Sequence, residues 1–130
     1  MRLERKLPRR QKSRLRMKRI LAGAFYLSSF WSLFIVSLVV LNNDWALPRA
    51  AGGQFDSFPS WLRILYLFNF SLLTIQVIAY IQKRMNLIKI FFWISSLSTI
   101  VNLASRSPLE RWNAIPAGVT ALALWRASRR

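Results

Sequence analysis

Long uncharged apolar stretches alternate with short charged or turn-forming segments along this chain. No side chain from residue 20 to residue 43 is charged, and residues 20–41 form an apolar run of 22. At about 1.5 Å per residue, roughly 20 helical residues cross about 30 Å of hydrocarbon. The pattern therefore predicts a first membrane-spanning helix over residues 20–42.

Two further runs have the same character. A second span is predicted over residues 62–82, where 19 consecutive residues before Lys83 carry no charge. A polar turn at 83–86 leads to a third predicted span over residues 87–105. Lys89 lies near the start of that span, where its long side chain lets the amine reach the lipid headgroups.

The fourth predicted span depends on how its helix starts. Ser107, Pro108 and Glu110 match the N-cap, N1 and N3 positions of a capping box. In that arrangement the serine hydroxyl accepts from the N3 amide, and the glutamate reaches back to the N-cap amide. A helix over residues 108–127 is about 30 Å long at the standard rise, which is enough to cross. Pro116 is expected to kink it.

The connecting segments fix the expected orientation. Residues 43–61 are rich in Pro, Gly and Asp and predict a loop. The other segments are a basic tail at 1–19, turns at 83–86 and 106–107, and the end at 128–130. Short cytoplasmic segments are enriched in Lys and Arg. With the amino terminus inside, the inner segments hold sixteen basic residues against four outside, so both termini are expected in the cytoplasm.

Composition narrows the chemistry. The chain is 54% hydrophobic and 18% charged, whereas soluble domains have about 45–50% and about 25%. It contains neither Cys nor His, which removes disulfides, thiol nucleophiles, imidazole bases and the usual ligands of zinc, haem and iron–sulfur clusters. We expect an all-α transmembrane four-helix bundle in the cell membrane, with no catalytic residue, metal site or cofactor.

A cleaved secretory signal is the alternative interpretation of the amino terminus. Signal sequences contain an apolar stretch of about 7–15 residues before a small-residue cleavage site. The apolar run here has 22 residues. We therefore expect an uncleaved signal anchor.

The basic tail holds ten Lys and Arg residues and one acid, Glu4. Nucleic acid binding is one interpretation, but no aromatic residue is interleaved to stack on bases, and attraction to anionic lipids explains a juxtamembrane polybasic segment. We expect the first dozen residues to be disordered unless a partner or a membrane surface orders them. Lipid headgroup contacts are predicted for Arg9, Arg10, Lys12, Arg14, Arg16, Lys18 and Arg19.

Neutral polar side chains recur at helical spacing in the second and third spans. We predict interhelical hydrogen bonds from Tyr66, Asn69, Gln76, Ser98 and Asn102. The amides of Asn69 and Asn102 are expected to face the bundle interior, because an unpaired amide against lipid is costly. The alternative is a polar path for a substrate or ion. No predicted span contains the embedded acid on which the small four-span multidrug exporters depend.

Residues 105–112 read SRSPLERW and form the most motif-like string. The chain here resembles an uncharacterised family of small bacterial four-span integral membrane proteins, in which a Ser-Arg-Ser turn leads to Glu-Arg and then to a Pro in the last helix. The resemblance covers the last third of the chain; it implies a bacterial inner-membrane location and no particular activity. The matching positions are Ser105, Arg106, Ser107, Glu110, Arg111 and Pro116.

We assign Arg106, Ser107, Glu110 and Arg111 to the helix cap and outer turn. An outward anion or partner site is the alternative interpretation of this turn. For the whole chain, we predict a non-catalytic interaction or accessory subunit. Its expected partners are the bilayer, anionic lipids and a membrane protein or second copy.

Two other functions stay open. One is an oligomeric transporter or channel component that uses the neutral polar helix faces. The other is a membrane enzyme that uses Asp44, Asp56 or Glu110.

Overall fold

The computed structural model describes residues 7–129, and these residues are all-helical, without a strand. Two short 3-10 segments, Asp44–Arg49 and Ala51–Gly53, lie between the first two helices. The helices are α1 (Arg9–Val40), α2 (Ser60–Ile81), α3 (Met85–Leu103), α4 (Pro108–Arg111) and α5 (Ala114–Ser128).

Helices α1, α2 and α3 are each long and apolar enough to cross a membrane. Their apolar parts coincide with the first three predicted spans. Helices α2 and α3 both begin two residues before the predicted starts at 62 and 87. The prediction of a helical membrane protein is confirmed at this level.

The fourth predicted span is not one continuous helix. A tighter turn at Trp112 and Asn113, whose φ and ψ angles stay in the right-handed helical region, separates α4 from α5, whose 15 residues extend only about 22 Å. Pro116 gives the physical reason: it has no N–H to donate to the carbonyl of Trp112, and its ring would clash with that carbonyl in a continuous helix. The Ile115 amide donates to the Trp112 carbonyl instead, at 3.2 Å. The proline therefore lies in the first turn of α5 and does not kink it midway.

The start of α1 also differs from the expectation. The helix begins at Arg9, so part of the basic tail that was expected to be disordered is helical. Arg, Lys, Gln, Leu and Met all have high helix propensity, and a helix that is already nucleated in the apolar run can extend at little cost. Residues 1–6, including Glu4, lie outside the described residues.

The helices pack unequally. Helix α1 packs against both α2 and α5, while α3 packs mainly against α5. Small side chains of α5 allow this close approach: a Cβ on Gly118 would lie 3.6 Å from Cγ2 of Thr99. Helices α2 and α3 make few contacts with each other although a short turn joins them.

Two hydrophobic clusters hold the two ends of the molecule. We call the end that carries residues 9–19, 82–84 and 126–129 the tail end, and the end that carries residues 41–59 and 104–113 the loop end. The tail-end cluster contains Phe25, Ile88, Phe91, Ala123, Leu124 and Ala127. The loop-end cluster contains Val39, Ala46, Ala50, Phe58 and Leu62.

Candidate functional site

A cleft of about 650 Å³ lies between the two hydrophobic clusters, with walls from α1, α2, α3 and α5. It exists because α1 packs on α5, α2 packs on α1 and α3 packs on α5, while α2 and α3 make few contacts with each other. The cleft opens sideways between α2 and α3. Its mouth is bordered by exposed apolar side chains, Leu65 and Phe68 on α2 and Leu97 and Val101 on α3. On a membrane-spanning helix pair such a mouth faces the bilayer.

Several polar side chains in the cleft make no hydrogen bond within residues 7–129. They come from all four walls, so the unmet donors and acceptors converge on one space. Asn69 and Ser98 are exposed in the mouth, and Asn102 is half-buried. The set is Ser32, Asn69, Ser98, Asn102 and Thr120.

Hydroxyls elsewhere on α2 and α3 behave differently. Ser71 and Thr74 on α2 each donate to the carbonyl four residues earlier, and Ser96 and Thr99 on α3 do the same. These four side chains do not line the cleft. Ser98, which does, makes no such bond. On α2 and α3, the cleft therefore holds polar groups that the chain itself leaves unsatisfied; on α1, the buried Ser29 hydroxyl lies outside the cleft and also has no partner among the described residues.

Gln76 and Ser95 close the inner part of the cleft. The Ser95 hydroxyl donates to the Gln76 side-chain carbonyl at 3.1 Å, and Gln76 is only 2% exposed. Of the five residues predicted for interhelical contacts, Gln76 is the one that makes a side-chain hydrogen bond between helices in the described chain. Tyr66 lies at the loop end of the cleft, beside the backbone of Ala51 and the carboxylate of Glu110.

The loop end of the cleft is roofed by the segment between α1 and α2. Three side chains spaced three residues apart hold this segment down. The Ser107 hydroxyl donates a hydrogen bond to the Pro48 carbonyl, and the Glu110 carboxylate accepts one from the Gly52 amide at 2.8 Å. The amide of Asn113 donates to the Arg49 carbonyl at 2.9 Å. This row, Ser107, Glu110 and Asn113, is called the loop clasp below.

The capping box is present only in part. Ser107 is the N-cap of α4, and its hydroxyl accepts from the Glu110 amide at 3.4 Å. The expectation that Glu110 reaches back to the Ser107 amide is wrong. The Ser107 amide donates to the Ser105 hydroxyl at 3.2 Å, and the Glu110 carboxylate accepts from Ser105 and from Gly52. The glutamate turns away because a loop amide, 58 residues earlier in the chain, supplies the donor.

The two arginines of the same turn point elsewhere. Arg111 donates to the Ser105 carbonyl at 2.7 Å and bridges the start of the turn. Arg106 is exposed. Neither lines the cleft. An outward anion or partner site at this turn stays an alternative interpretation.

Sequence reasoning missed the contacts of four residues at the loop end, Asn113, Trp31, Arg49 and Trp45. Asn113 accepts from the indole N–H of Trp31 at 3.0 Å, which ties α1 to the loop clasp. The Arg49 guanidinium lies 3.7 Å from the centre of the Trp45 ring and donates to the Trp45 carbonyl at 2.7 Å. The spacing of Ser107, Glu110 and Asn113 was the available signal, since residues three apart share a helix face.

The basic residues of the tail form a helical extension of α1. All seven predicted headgroup contacts are exposed. At 1.5 Å per residue Arg9 lies about 16 Å beyond Ile20 along the helix axis. This distance is about twice the Debye screening length at physiological ionic strength. A straight α1 thus brings Arg16, Lys18 and Arg19 closer to headgroups than Arg9 and Arg10. Headgroup contact itself stays a prediction.

Among residues 7–129 no group of three or more His, Cys, Asp or Glu side chains is arranged to hold a metal ion. No known protein family, curated protein or solved structure matches the chain. The features of the molecule that bear on function are therefore the cleft, the loop clasp and the distribution of charge.

Proposed function

We propose that this chain is a four-helix integral membrane protein that binds a membrane component in the cleft between α2 and α3, as an accessory subunit without catalytic activity. Its proposed location is a cell membrane, the bacterial inner membrane by the resemblance of the SRSPLERW segment. The single observation that carries the proposal is the set of unsatisfied polar side chains in the cleft. A polar group that faces hydrocarbon without a hydrogen bond is costly, so an occupant that satisfies these groups is favoured.

The acids of the chain support binding over catalysis. Glu110 is the acid that lines the cleft, and its carboxylate accepts hydrogen bonds from Gly52 and Ser105 at the roof. Asp44 and Asp56 are exposed and lie outside the cleft. Proton transfer needs an acid or base positioned on the reacting group, and Glu110 is already held by the fold.

The shape of the cleft supports binding over conduction. The docked loop covers its loop end, and the tail-end cluster, where Phe25 stacks on Tyr80 at 3.9 Å, lies beyond Gln76 and Ser95. A path for ions or substrates needs access from both sides of the membrane. This cleft has its access from the side, where lipid and other membrane components are.

Charge supports termini in the cytoplasm. Among the described residues the tail end carries twelve basic side chains and no acid, counting Lys89, whereas the loop end carries four basic residues, counting Arg63 in the first turn of α2, and three acids. Since cytoplasmic segments are enriched in Lys and Arg, the proposed orientation places the tail end inside. The loop clasp and the roof of the cleft would then face the other side.

Photocrosslinking from within the membrane tests the binding function. Leu97 lines the cleft and Ile100 does not, yet both lie on α3 and are 62% and 63% exposed. A benzoylphenylalanine at position 97 is expected to capture one dominant component in cells, seen as one mass increment on the intact chain. The same group at position 100 is expected to capture only a spread of bulk lipids. The same spread at both positions would contradict a binding function for the cleft.

A further inference from the structure

We infer that the cleft binds a single-chain, uncharged amphiphile that enters from the bilayer with its hydroxyl, ester or amide group toward the loop end. The inference rests on the proposed binding function and names the chemical class of the occupant. Three observations carry it: the volume of the cleft, the gradient of polarity along it, and the side chains that lack hydrogen-bond partners.

The volume favours a small molecule over a transmembrane helix. A cleft of about 650 Å³ falls within the range of about 300–1,000 Å³ that is usual for small-molecule sites. A helix about 10 Å in diameter that crosses about 30 Å of hydrocarbon occupies roughly 2,400 Å³. A partner helix would therefore rest across the mouth, where Asn69 and Ser98 are exposed, and leave the more buried Ser32 and Thr120 unreached.

Polarity changes along the cleft. Near the loop end the walls present Tyr66 and Asn102, and Asn69 lies nine residues into α2, about 14 Å from its start. Deeper in the cleft Leu72 and Leu73 line the wall, and Gln76 is already paired with Ser95. An occupant with one polar end and one apolar end matches this gradient when its polar end points to the loop end.

The charges at the loop end favour an uncharged polar group. Glu110 and Arg49 both line the roof side of the cleft, so a headgroup of either charge would meet a like charge there. The nearby guanidinium of Arg49 is engaged with the ring and carbonyl of Trp45. Asn69 and Asn102 each offer an amide donor and an amide acceptor, which suit a hydroxyl, ester or amide.

Equilibrium binding to the purified full chain in phosphatidylcholine nanodiscs tests the inference. The probe is tritiated 1-monopalmitoylglycerol, and its excess over empty nanodiscs is expected to saturate at one molecule per chain. Hexadecane shares the chain and lacks the polar group; dipalmitoylglycerol has the polar group and a second chain. Neither is expected to compete with the probe.

Isosteric variants connect binding to the cleft. Asn69→Leu and Asn102→Leu remove hydrogen-bonding groups at nearly constant size, and each is expected to weaken probe binding about 3- to 10-fold, the value of one hydrogen bond. Ser71→Leu is the matched control, since Ser71 is exposed on α2 two residues from Asn69 and lies outside the cleft. Its binding is expected to equal that of the unmodified chain. Unchanged thermal unfolding midpoints would show that the variants remain folded.

The outcomes separate the inference from the proposed function. No saturable excess, competition by hexadecane or dipalmitoylglycerol, or equal weakening by Ser71→Leu would overturn the inference. If, in addition, the photoprobe at position 97 captures a protein as its dominant product, the proposed binding function is supported, and the inference that the occupant is an amphiphile is wrong. If photoprobes at positions 97 and 100 give the same products and tritiated monopalmitoylglycerol does not bind, both the proposed function and the inference are contradicted.

Discussion

Glu110 is a buried acid whose hydrogen bonds hold the loop between α1 and α2 in place. It is 8% exposed, and its carboxylate accepts from the Gly52 amide and the Ser105 hydroxyl. A buried polar group without partners costs free energy, and a buried charge costs more. The glutamate and the loop amide therefore depend on each other: the loop satisfies the acid, and the acid holds the roof of the cleft in place.

Substitutions in the loop clasp test this dependence. Glu110→Ala leaves the Gly52 amide and the Ser105 hydroxyl without their acceptor, and we expect it to lower the free energy of unfolding by about 2–3 kcal/mol. Ser107→Ala, which removes an N-cap and the hydrogen bond to the Pro48 carbonyl, is expected to cost about 1–2 kcal/mol. Glu110→Gln keeps an acceptor and is expected to cost less than Glu110→Ala. Unfolding in detergent measures all three.

The matched control for these variants is Asp56→Ala, because Asp56 is an exposed acid in the same outer loop. Its effect is expected to stay within about 0.5 kcal/mol. An equal loss from Asp56→Ala and Glu110→Ala would show that the loop responds to net charge and not to the hydrogen bonds of Glu110.

Substitutions at two neighbouring glycines distinguish the cost of backbone strain from the cost of a steric contact with a side chain. Gly52 and Gly53 have positive φ angles of 74° and 66°, where an L side chain costs about 1–2 kcal/mol. A Cβ on Gly53 would lie 3.2 Å from Ser107, whereas a Cβ on Gly52 would meet nothing within 4 Å. Gly53→Ala is therefore expected to reduce stability more than Gly52→Ala, measured by thermal unfolding in detergent. Equal losses would indicate strain alone and a loop that is not seated on Ser107.

At the scale of single residues, the sequence predicts those hydrogen bonds whose two partners lie close together along the chain. Ser107 followed by Pro108 identified the N-cap, because a cap depends on residues within one helical turn. The acceptor role of Glu110 toward Gly52 was not predictable in the same way, since its donor lies in another segment and only the fold brings the two together. Asn113 was missed for the same reason.

At the scale of the elements, apolar runs predicted three helices with errors of one or two residues at their ends, except at the start of α1, which begins eleven residues before the predicted span. Such runs need no tertiary information, because hydrocarbon requires every backbone hydrogen bond to be made within the helix. The fourth helix was less predictable. Pro116 is compatible both with a kinked long helix and with a new helix that begins just before it, and the contacts of Asn113 with Trp31 and Arg49 accompany the second outcome.

Replacing Pro116 tests which of these causes breaks the helix. Pro116→Ala restores an amide that can donate to the Trp112 carbonyl, so we expect α4 and α5 to join and amide hydrogen exchange over residues 112–117 to slow by about tenfold, the effect of roughly one added hydrogen bond. Pro108→Ala is the control, since a proline at the first helical position breaks nothing. Unchanged exchange in Pro116→Ala would assign the break to the contacts of Asn113.

At the scale of the whole molecule, the cleft follows from unequal packing and not from any single motif. The pattern of Asn69, Ser98 and Asn102 indicated a polar face, and a face turned to a partner helix was the expectation. The structure turns those residues to a gap, because α3 packs on the small residues of α5 and leaves α2 with α1. A sequence pattern specifies which face of a helix is polar, but the partner of that face depends on how all the helices pack.

Orientation is the property of the whole molecule that charge controls most directly. The chain contains no cysteine, so single cysteines report accessibility without background. Gln54 is exposed at the loop end and Ser13 is exposed in the tail. Since Lys and Arg are retained on the cytoplasmic side, a membrane-impermeant maleimide is expected to label Gln54→Cys in intact cells and Ser13→Cys only after permeabilisation. Ser71→Cys, within α2, is expected to stay unlabelled in both conditions. Labelling of Ser13→Cys in intact cells would reverse the orientation and place the roof of the cleft in the cytoplasm.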